Sequence, residues 1–311
     1  MDKIMAPRDM YGETLLELGE KNSKIFVLNA DVAAATKVGL FGDKFKDRYL
    51  NVGICEQNMV GVAAGLARSG YIPIMSTFAC FAPGRCYDQI RQSVSYSNLN
   101  VKVISTHPGL AIGMDGAIHQ SLDDIALMRE LPNFIVLTPS DEIETRKAII
   151  AAIEHKGPVY VRVGRKECKK LFDEKKVYFI GKSYKIVEGK DISILAHGSM
   201  VQFAYDASII LKELGISTRV INISSIKPID VDAIISCAEE TAGIITAEDH
   251  FKYGGLYSAV CEVVSEKHPC IVKSIAVNDT FGESGMPDKL YEKYGLTVEN
   301  IVKTAKEIMR I

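Results

Sequence analysis

Residues 49–69 run Tyr-Leu-Asn-Val-Gly-Ile-Cys-Glu-Gln-Asn-Met-Val-Gly-Val-Ala-Ala-Gly-Leu-Ala-Arg-Ser. Tyr49 to Ile54 read as a strand, and a helix-like segment follows over 58–69. A strand passing through a short turn into a helix is the repeating unit of an α/β fold, and the same alternation recurs on both sides. Upstream, a helical pattern near 9–20 precedes the apolar run Ile25-Phe-Val-Leu-Asn-Ala30. Downstream come Tyr71-Ile-Pro-Ile-Met-Ser76, Val101-Lys-Val-Ile-Ser-Thr106, Phe134-Ile-Val-Leu-Thr138 and Pro158-Val-Tyr-Val-Arg-Val163, separated by helical patterns near 83–97, 120–130 and 140–155. Ser140 and Asp141 supply N-terminal caps to the last of these, and Gly157-Pro158 stops it. Strands alternating with helices predict a mostly parallel sheet covered on both faces.

The charged stretch Arg165-Lys-Glu-Cys-Lys-Lys-Leu-Phe-Asp-Glu-Lys-Lys176 interrupts the pattern and reads as a solvated linker, Arg165 excepted. A second α/β series starts at Asp191, with strands at 192–196, 218–223, 243–247 and 271–276. Its helices are expected at 200–214, 230–239 and 255–267, and two more close the chain near 287–293 and 297–310. Two domains follow, residues 1–178 and 179–311, which suits a chain of 311 residues. Apolar residues at 47% and charged residues at 24% are globular proportions. Lys plus Arg total 37 against 39 Asp plus Glu, so no cationic excess is available for a nucleic-acid backbone. No apolar run reaches the ~18 residues of a membrane span, and the first residues carry no apolar targeting core; a cytoplasmic protein without membrane or nucleic-acid partners is expected. The seven cysteines show no C-x-x-C spacing and read as reduced, small apolar residues.

In an open parallel sheet, ligands bind beyond the carboxyl ends of the strands. Asp31 ends the first strand, Glu56 follows the second, Phe78 and Phe81 the third, His107 the fourth, and Arg165 the last of the first domain. Parallel strands bring all six to one edge. Glu56 has an ordinary reading as a carboxylate at a helix N-terminus. The small residues behind it, Gly61, Ala63, Ala64, Gly65 and Ala67, suit close packing against either the sheet or a neighbouring subunit. The loop Thr106-His-Pro-Gly-Leu-Ala-Ile-Gly-Met-Asp-Gly-Ala-Ile-His-Gln120 is too glycine-rich for a helix and carries His107, Asp115 and His119. No metal-ligand spacing is present, nor a Rossmann glycine fingerprint, a Walker loop or a nucleophile elbow. In the second domain, Glu248-Asp-His250 with Gly254-Gly255 reads as a capped strand–helix connection.

Val52-Gly-Ile-Cys-Glu-Gln-Asn-Met-Val-Gly61, Ser76-Thr-Phe-Ala-Cys-Phe81, Arg85-Cys-Tyr-Asp-Gln-Ile-Arg91, Gly113-Met-Asp-Gly-Ala-Ile-His-Gln120, and Leu131-Pro-Asn-Phe followed by Thr138-Pro-Ser-Asp-Glu142 occur in this order. Together they resemble the C-terminal half of transketolase, its pyrimidine-binding and C-terminal domains, across essentially the whole chain. The resemblance implies thiamine diphosphate as cofactor and transfer of a two-carbon ketol unit between sugar phosphates. Glu56 would hydrogen-bond the ring nitrogen of the aminopyrimidine and so favour the imino tautomer that takes the thiazolium proton. Phe78 and Phe81 would stack on the pyrimidine, and Asp31 would lie near the thiazolium. Asp115 and His119 would bond the sugar hydroxyls, with Glu56 and His119 as the catalytic pair. Arg8, His107 and Arg165 would bind the phosphate.

The family grips the diphosphate and a Mg²⁺ or Ca²⁺ ion through Gly-Asp-Gly and a later Asn, and no Gly-Asp-Gly occurs in the chain. The resemblance is therefore to a split transketolase. The metal ligands would lie on an N-terminal partner subunit, the assembly would be a heterotetramer, and the chain alone would be inactive. Two positions depart from the family pattern. Met114 precedes Asp115 where Glu is usual, and Ala35 stands where many members have a phosphate-binding Ser, with Thr36 as the neighbouring substitute. Alternative readings are a 1-deoxyxylulose-5-phosphate synthase, the β subunit of a 2-oxoacid dehydrogenase, and a non-catalytic scaffold that has lost its chemistry.

Overall fold

The computed structural model describes residues 5–310. In chain order its first part comprises α1 (Pro7–Lys21), β1 (Ile25–Asn29), α2 (Ala33–Thr36), α3 (Gly39–Lys44), β2 (Tyr49–Asn51), α4 (Glu56–Arg68), β3 (Ile72–Phe78), α5 (Ala82–Gln89), β4 (Lys102–Thr106), α6 (Asp124–Glu130), β5 (Ile135–Leu137), α7 (Glu142–Glu154) and β6 (Val159–Val163). The second part comprises β7 (Tyr184–Val187), β8 (Ile192–Ala196), α8 (Met200–Glu213), β9 (Thr218–Asn222), β10 (Ser225–Lys227), α9 (Val231–Glu240), β11 (Ile244–Phe251), α10 (Leu256–Lys267), β12 (Val272–Val277), α11 (Pro287–Lys293) and α12 (Val298–Met309). Two sheets result, ordered β10-β5-β6-β4-β3-β1-β2 and β12-β11-β8-β9-β7. All pairings are parallel except β10 with β5 and β7 with β9. Every residue of β4, β6, β8 and β9 is buried, as helices on both faces require.

Local chemistry explains the element ends. Asp141 accepts the Glu144 N–H at 2.8 Å and caps α7, while the Glu144 carboxylate reaches back to the Ser140 N–H and hydroxyl, each at 2.7 Å. Ser140 thus sits just outside the cap rather than forming it. The helix expected over 83–97 is broken: Cys86 has non-helical angles inside α5, and Ile90–Ser95 continues as a wider π-type turn. The stretch 165–176 corrects the solvated-linker expectation in part. Cys168 and Phe172 are buried, the Phe172 ring lies edge-on to Tyr184 at 4.6 Å, and the Leu171 and Phe172 amides both donate to Asp141. One aromatic side chain docked in the core outweighs the charges around it.

The two parts share structure. Strand β10 comes from the second series yet completes the first sheet, pairing Ser225 with Leu137 and Lys227 with Val136. One apolar cluster joins Val136 and Tyr160 to Leu195, Ile221 and Ile226. A buried polar seam runs beside it. Arg162 Nε donates to Asp124 at 2.8 Å and its Nη2 donates to the Asp249 carbonyl at 2.8 Å, while the Tyr160 hydroxyl donates to Asp124 at 2.7 Å. Glu248 accepts the Leu256 and Tyr257 amides at the start of α10, the capped connection expected there. Asp249 accepts the Leu110 amide at 3.0 Å and the Tyr291 hydroxyl at 2.8 Å, so the second domain holds the glycine-rich loop of the first.

Candidate active site

The carboxyl edge of the first sheet gathers the expected residues. Asp31 and His107, just past β1 and β4, have positive φ values of 62° and 60°. Asp and His tolerate this left-handed conformation better than most residues, and it costs of order 1 kcal/mol. Asp31 is fixed by a reciprocal pair with Asn51, two bonds of 3.0 Å.

Glu56 is the first residue of α4 and is only 2% exposed. Its carboxylate accepts Arg85 Nη1 at 3.1 and 3.0 Å, one contact to each oxygen. Helix capping therefore does not account for its burial: the partner is a side chain from α5. The same Arg85 guanidinium lies over the ring of Phe81, which stacks on Phe78 with ring planes 13° apart and centroids separated by 5.8 Å. The His107 ring packs 4.2 Å from Phe78, and the His119 ring stands edge-on to Phe81 at 5.5 Å. His119 Nδ1 is buried with no hydrogen-bond partner among the described residues. Stacked aromatic rings, one buried carboxyl and one unsatisfied imidazole nitrogen are the groups from which a slot for a flat heterocycle and a hydroxylated substrate would be built.

A cationic cluster adjoins the slot. Arg8 Nη1 lies 3.0 Å from His107 Nε2, and His107 Nδ1 lies 2.7 Å from the Thr106 hydroxyl. Because guanidinium only donates, Nε2 is assigned as the acceptor and Nδ1 as the protonated nitrogen. Burial, then the charges of Arg8 and Arg165, push the His107 pKa down to about 3. His107 is therefore a neutral residue that orients Arg8, rather than a third charged donor. Arg8 Nε is buried and without a partner among the described residues, and Arg165 Nη1 donates to the Ile112 carbonyl at 2.8 Å while lying 3.9 Å from Asp115. A cleft of about 260 Å³ opens here between Asp115, Arg165, Lys166 and Met286.

The structure also speaks to the two departures. Met114 is exposed at the rim of that cleft. Thr36 is fully buried and its hydroxyl donates to the Val32 carbonyl, so it does not replace the missing serine at position 35. Arg85 was not among the expected site residues. Its signal was present, because it follows Phe81 by four positions at the start of a helix, a spacing that shares one face. No group of three or more His, Cys, Asp or Glu able to hold a metal ion occurs among the described residues. Likewise no helix among them is long and apolar enough to cross a membrane.

Comparison with known proteins agrees with this geometry. The family model of the transketolase pyrimidine-binding domain matches residues 3–170, and that of the transketolase C-terminal domain matches 181–301. A putative transketolase C-terminal section from Methanocaldococcus jannaschii is 43% identical over 307 residues, covering 97% of this chain and 96% of that protein. A 6-deoxy-6-sulfo-D-fructose transketolase subunit from Clostridium sp. is 39% identical, covering 97% and 94%. A split-gene transketolase solved as an inactive β4 tetramer superposes with a TM-score of 0.90 at 42% identity, covering 99% of both chains. The chain belongs to the transketolase family, as a C-terminal subunit of the split kind.

Proposed function

We propose that the protein is the C-terminal subunit of a thiamine-diphosphate-dependent transketolase that moves a two-carbon ketol unit from a ketose phosphate to an aldose phosphate. The observation that carries this reading is the buried Glu56 carboxyl, joined through the Arg85 guanidinium to the near-parallel rings of Phe81 and Phe78. When bound, the cofactor supplies the nucleophilic carbon and the electron sink for cleaving a carbon–carbon bond. Glu56 holds a proton at the pyrimidine nitrogen, and Phe78 and Phe81 orient the ring and exclude water. Asp31 shapes the slot toward the substrate. His119 offers its free nitrogen to a sugar hydroxyl, Asp115 accepts from another, and Arg8 and Arg165 take the terminal anion with His107 fixing Arg8.

The diphosphate and its Mg²⁺ or Ca²⁺ ion fall to an N-terminal partner subunit carrying Gly-Asp-Gly, in a cytoplasmic heterotetramer. The domain boundary near residue 178 separates the pyrimidine-binding part from the C-terminal part. The decisive experiment is ketol transfer between sugar phosphates, assayed with cofactor and Mg²⁺ for the chain alone and after mixing with such a partner. Activity is expected only in the mixture. Full turnover by the chain alone overturns the split reading, and turnover of pyruvate instead of a ketose donor redirects it to deoxyxylulose-phosphate synthesis. Absence of transfer in a formed complex favours the scaffold reading.

A further inference from the structure

We infer that Arg85 stands in for the cofactor's aminopyrimidine in the uncomplexed chain, covering both groups that the ring would use and setting how tightly it binds. The inference rests on the assignment of Glu56, Phe78 and Phe81 proposed above. Arg85 Nη1 donates to both oxygens of Glu56, at 3.1 and 3.0 Å. The same guanidinium lies over the Phe81 ring, with its carbon 4.3 Å from the centroid. One flat group thus satisfies the buried carboxylate and covers the aromatic wall, the two interactions a flat heterocycle needs there. Both cannot be made twice.

The pairing has a physical cause. A carboxylate 2% exposed is costly without a donor, so the buried Glu56 needs one from the chain itself. Arg85 suits the part because it can leave: its side chain is 46% exposed, so its charge keeps contact with water. Glu56 is its only side-chain hydrogen-bond partner among the described residues. The helix that carries it is interrupted at the next residue, Cys86. Because the cofactor must first displace Arg85, its apparent affinity is reduced by the fraction of sites left open.

The test is calorimetric titration of thiamine diphosphate, at saturating Mg²⁺, into the complex assembled with the partner subunit. Wild type, Arg85→Ala, Arg85→Gln and Glu56→Gln are compared. Removing the competitor is expected to tighten binding about five- to tenfold in both Arg85 variants. The isolated Arg85→Ala chain is expected to melt at a lower temperature than wild type, with Glu56→Gln added to it restoring the loss. Arg85→Gln keeps the first test readable if the alanine variant does not fold. Unchanged or weaker binding in the Arg85 variants, with Glu56→Gln still weakening it, overturns the stand-in role and leaves the site assignment intact. Unchanged binding and turnover in Glu56→Gln instead removes the assignment itself.

Discussion

His107 shows how far one residue's role depends on its surroundings. It is buried, its backbone is left-handed, and both ring nitrogens are engaged by Thr106 and Arg8. Burial, aided by Arg8 and Arg165, lowers its pKa from 6.5 to about 3. The unfolded chain therefore takes up a proton below pH 6.5 that the folded chain refuses, and stability is lost as pH falls from there toward 3. Between pH 7.5 and 5.0 this residue alone removes about 2 kcal/mol. His107→Asn, whose side chain tolerates positive φ, is expected to lose stability at pH 7.5 but to show a shallower acid slope. Urea midpoints at pH 7.5 and 5.0 check this; a gap between the two proteins that is independent of pH refutes the neutral-histidine assignment. Reading strand ends in the sequence brought His107, Glu56 and the phenylalanines to one edge, because parallel strands leave no alternative. It did not reveal Arg85, which lies inside α5 rather than at a strand end, nor the loss of the Thr36 hydroxyl to its own helix.

At the scale of elements, the loop from His107 to Ser121 matters most, because it carries Asp115 and His119 on only two short 3-10 turns, Leu110–Asp115 and Ala117–His119. Its rigidity comes from the other domain. Asp249 accepts the Leu110 amide, Gln120 Nε2 donates to the Glu283 carbonyl at 2.9 Å, and Gly113 packs against Gly285 and Pro287. Gly109 marks the tightest approach: its φ is 68°, and a Cβ there would lie 2.0 Å from Asp249 Oδ2. Gly53 has a similar φ of 76° but open space around it. Gly53→Ala should therefore cost only the backbone term, about 1–2 kcal/mol. Gly109→Ala should cost about 3 kcal/mol or more, because overpacking adds to the same term. Chemical denaturation of the two variants measures the difference, and equal losses would show that Asp249 yields freely. The long central strands were legible because burial on both faces demands continuous apolar runs. Strands β7 and β10 were not, since Tyr184-Lys-Ile-Val and Ser225-Ile-Lys are short antiparallel edge segments with mixed composition.

At the scale of the molecule, the unforeseen strand β10 changes what the two domains are. A division near residue 178 follows the composition, yet the first sheet ends in a strand from beyond it. Without β10, all of β5, whose three residues are buried, becomes an open apolar edge. Cutting the chain at residue 178 also takes Leu195, Ile221 and Ile226 from the shared cluster and the Asp249 carbonyl from Arg162. Arg162 also donates to the Ser121 carbonyl, at the end of the glycine-rich loop, at 3.2 Å. A fragment ending at residue 178 is accordingly expected to aggregate or to remain without near-ultraviolet circular dichroism. The whole chain should unfold in one transition by calorimetry, with the calorimetric enthalpy equal to the van't Hoff value. Two resolved transitions would show that each part folds independently. In that case the bonds from Asp249 to Leu110 and Arg162 would be contacts between finished domains, and the glycine-rich loop would keep its order without its neighbour.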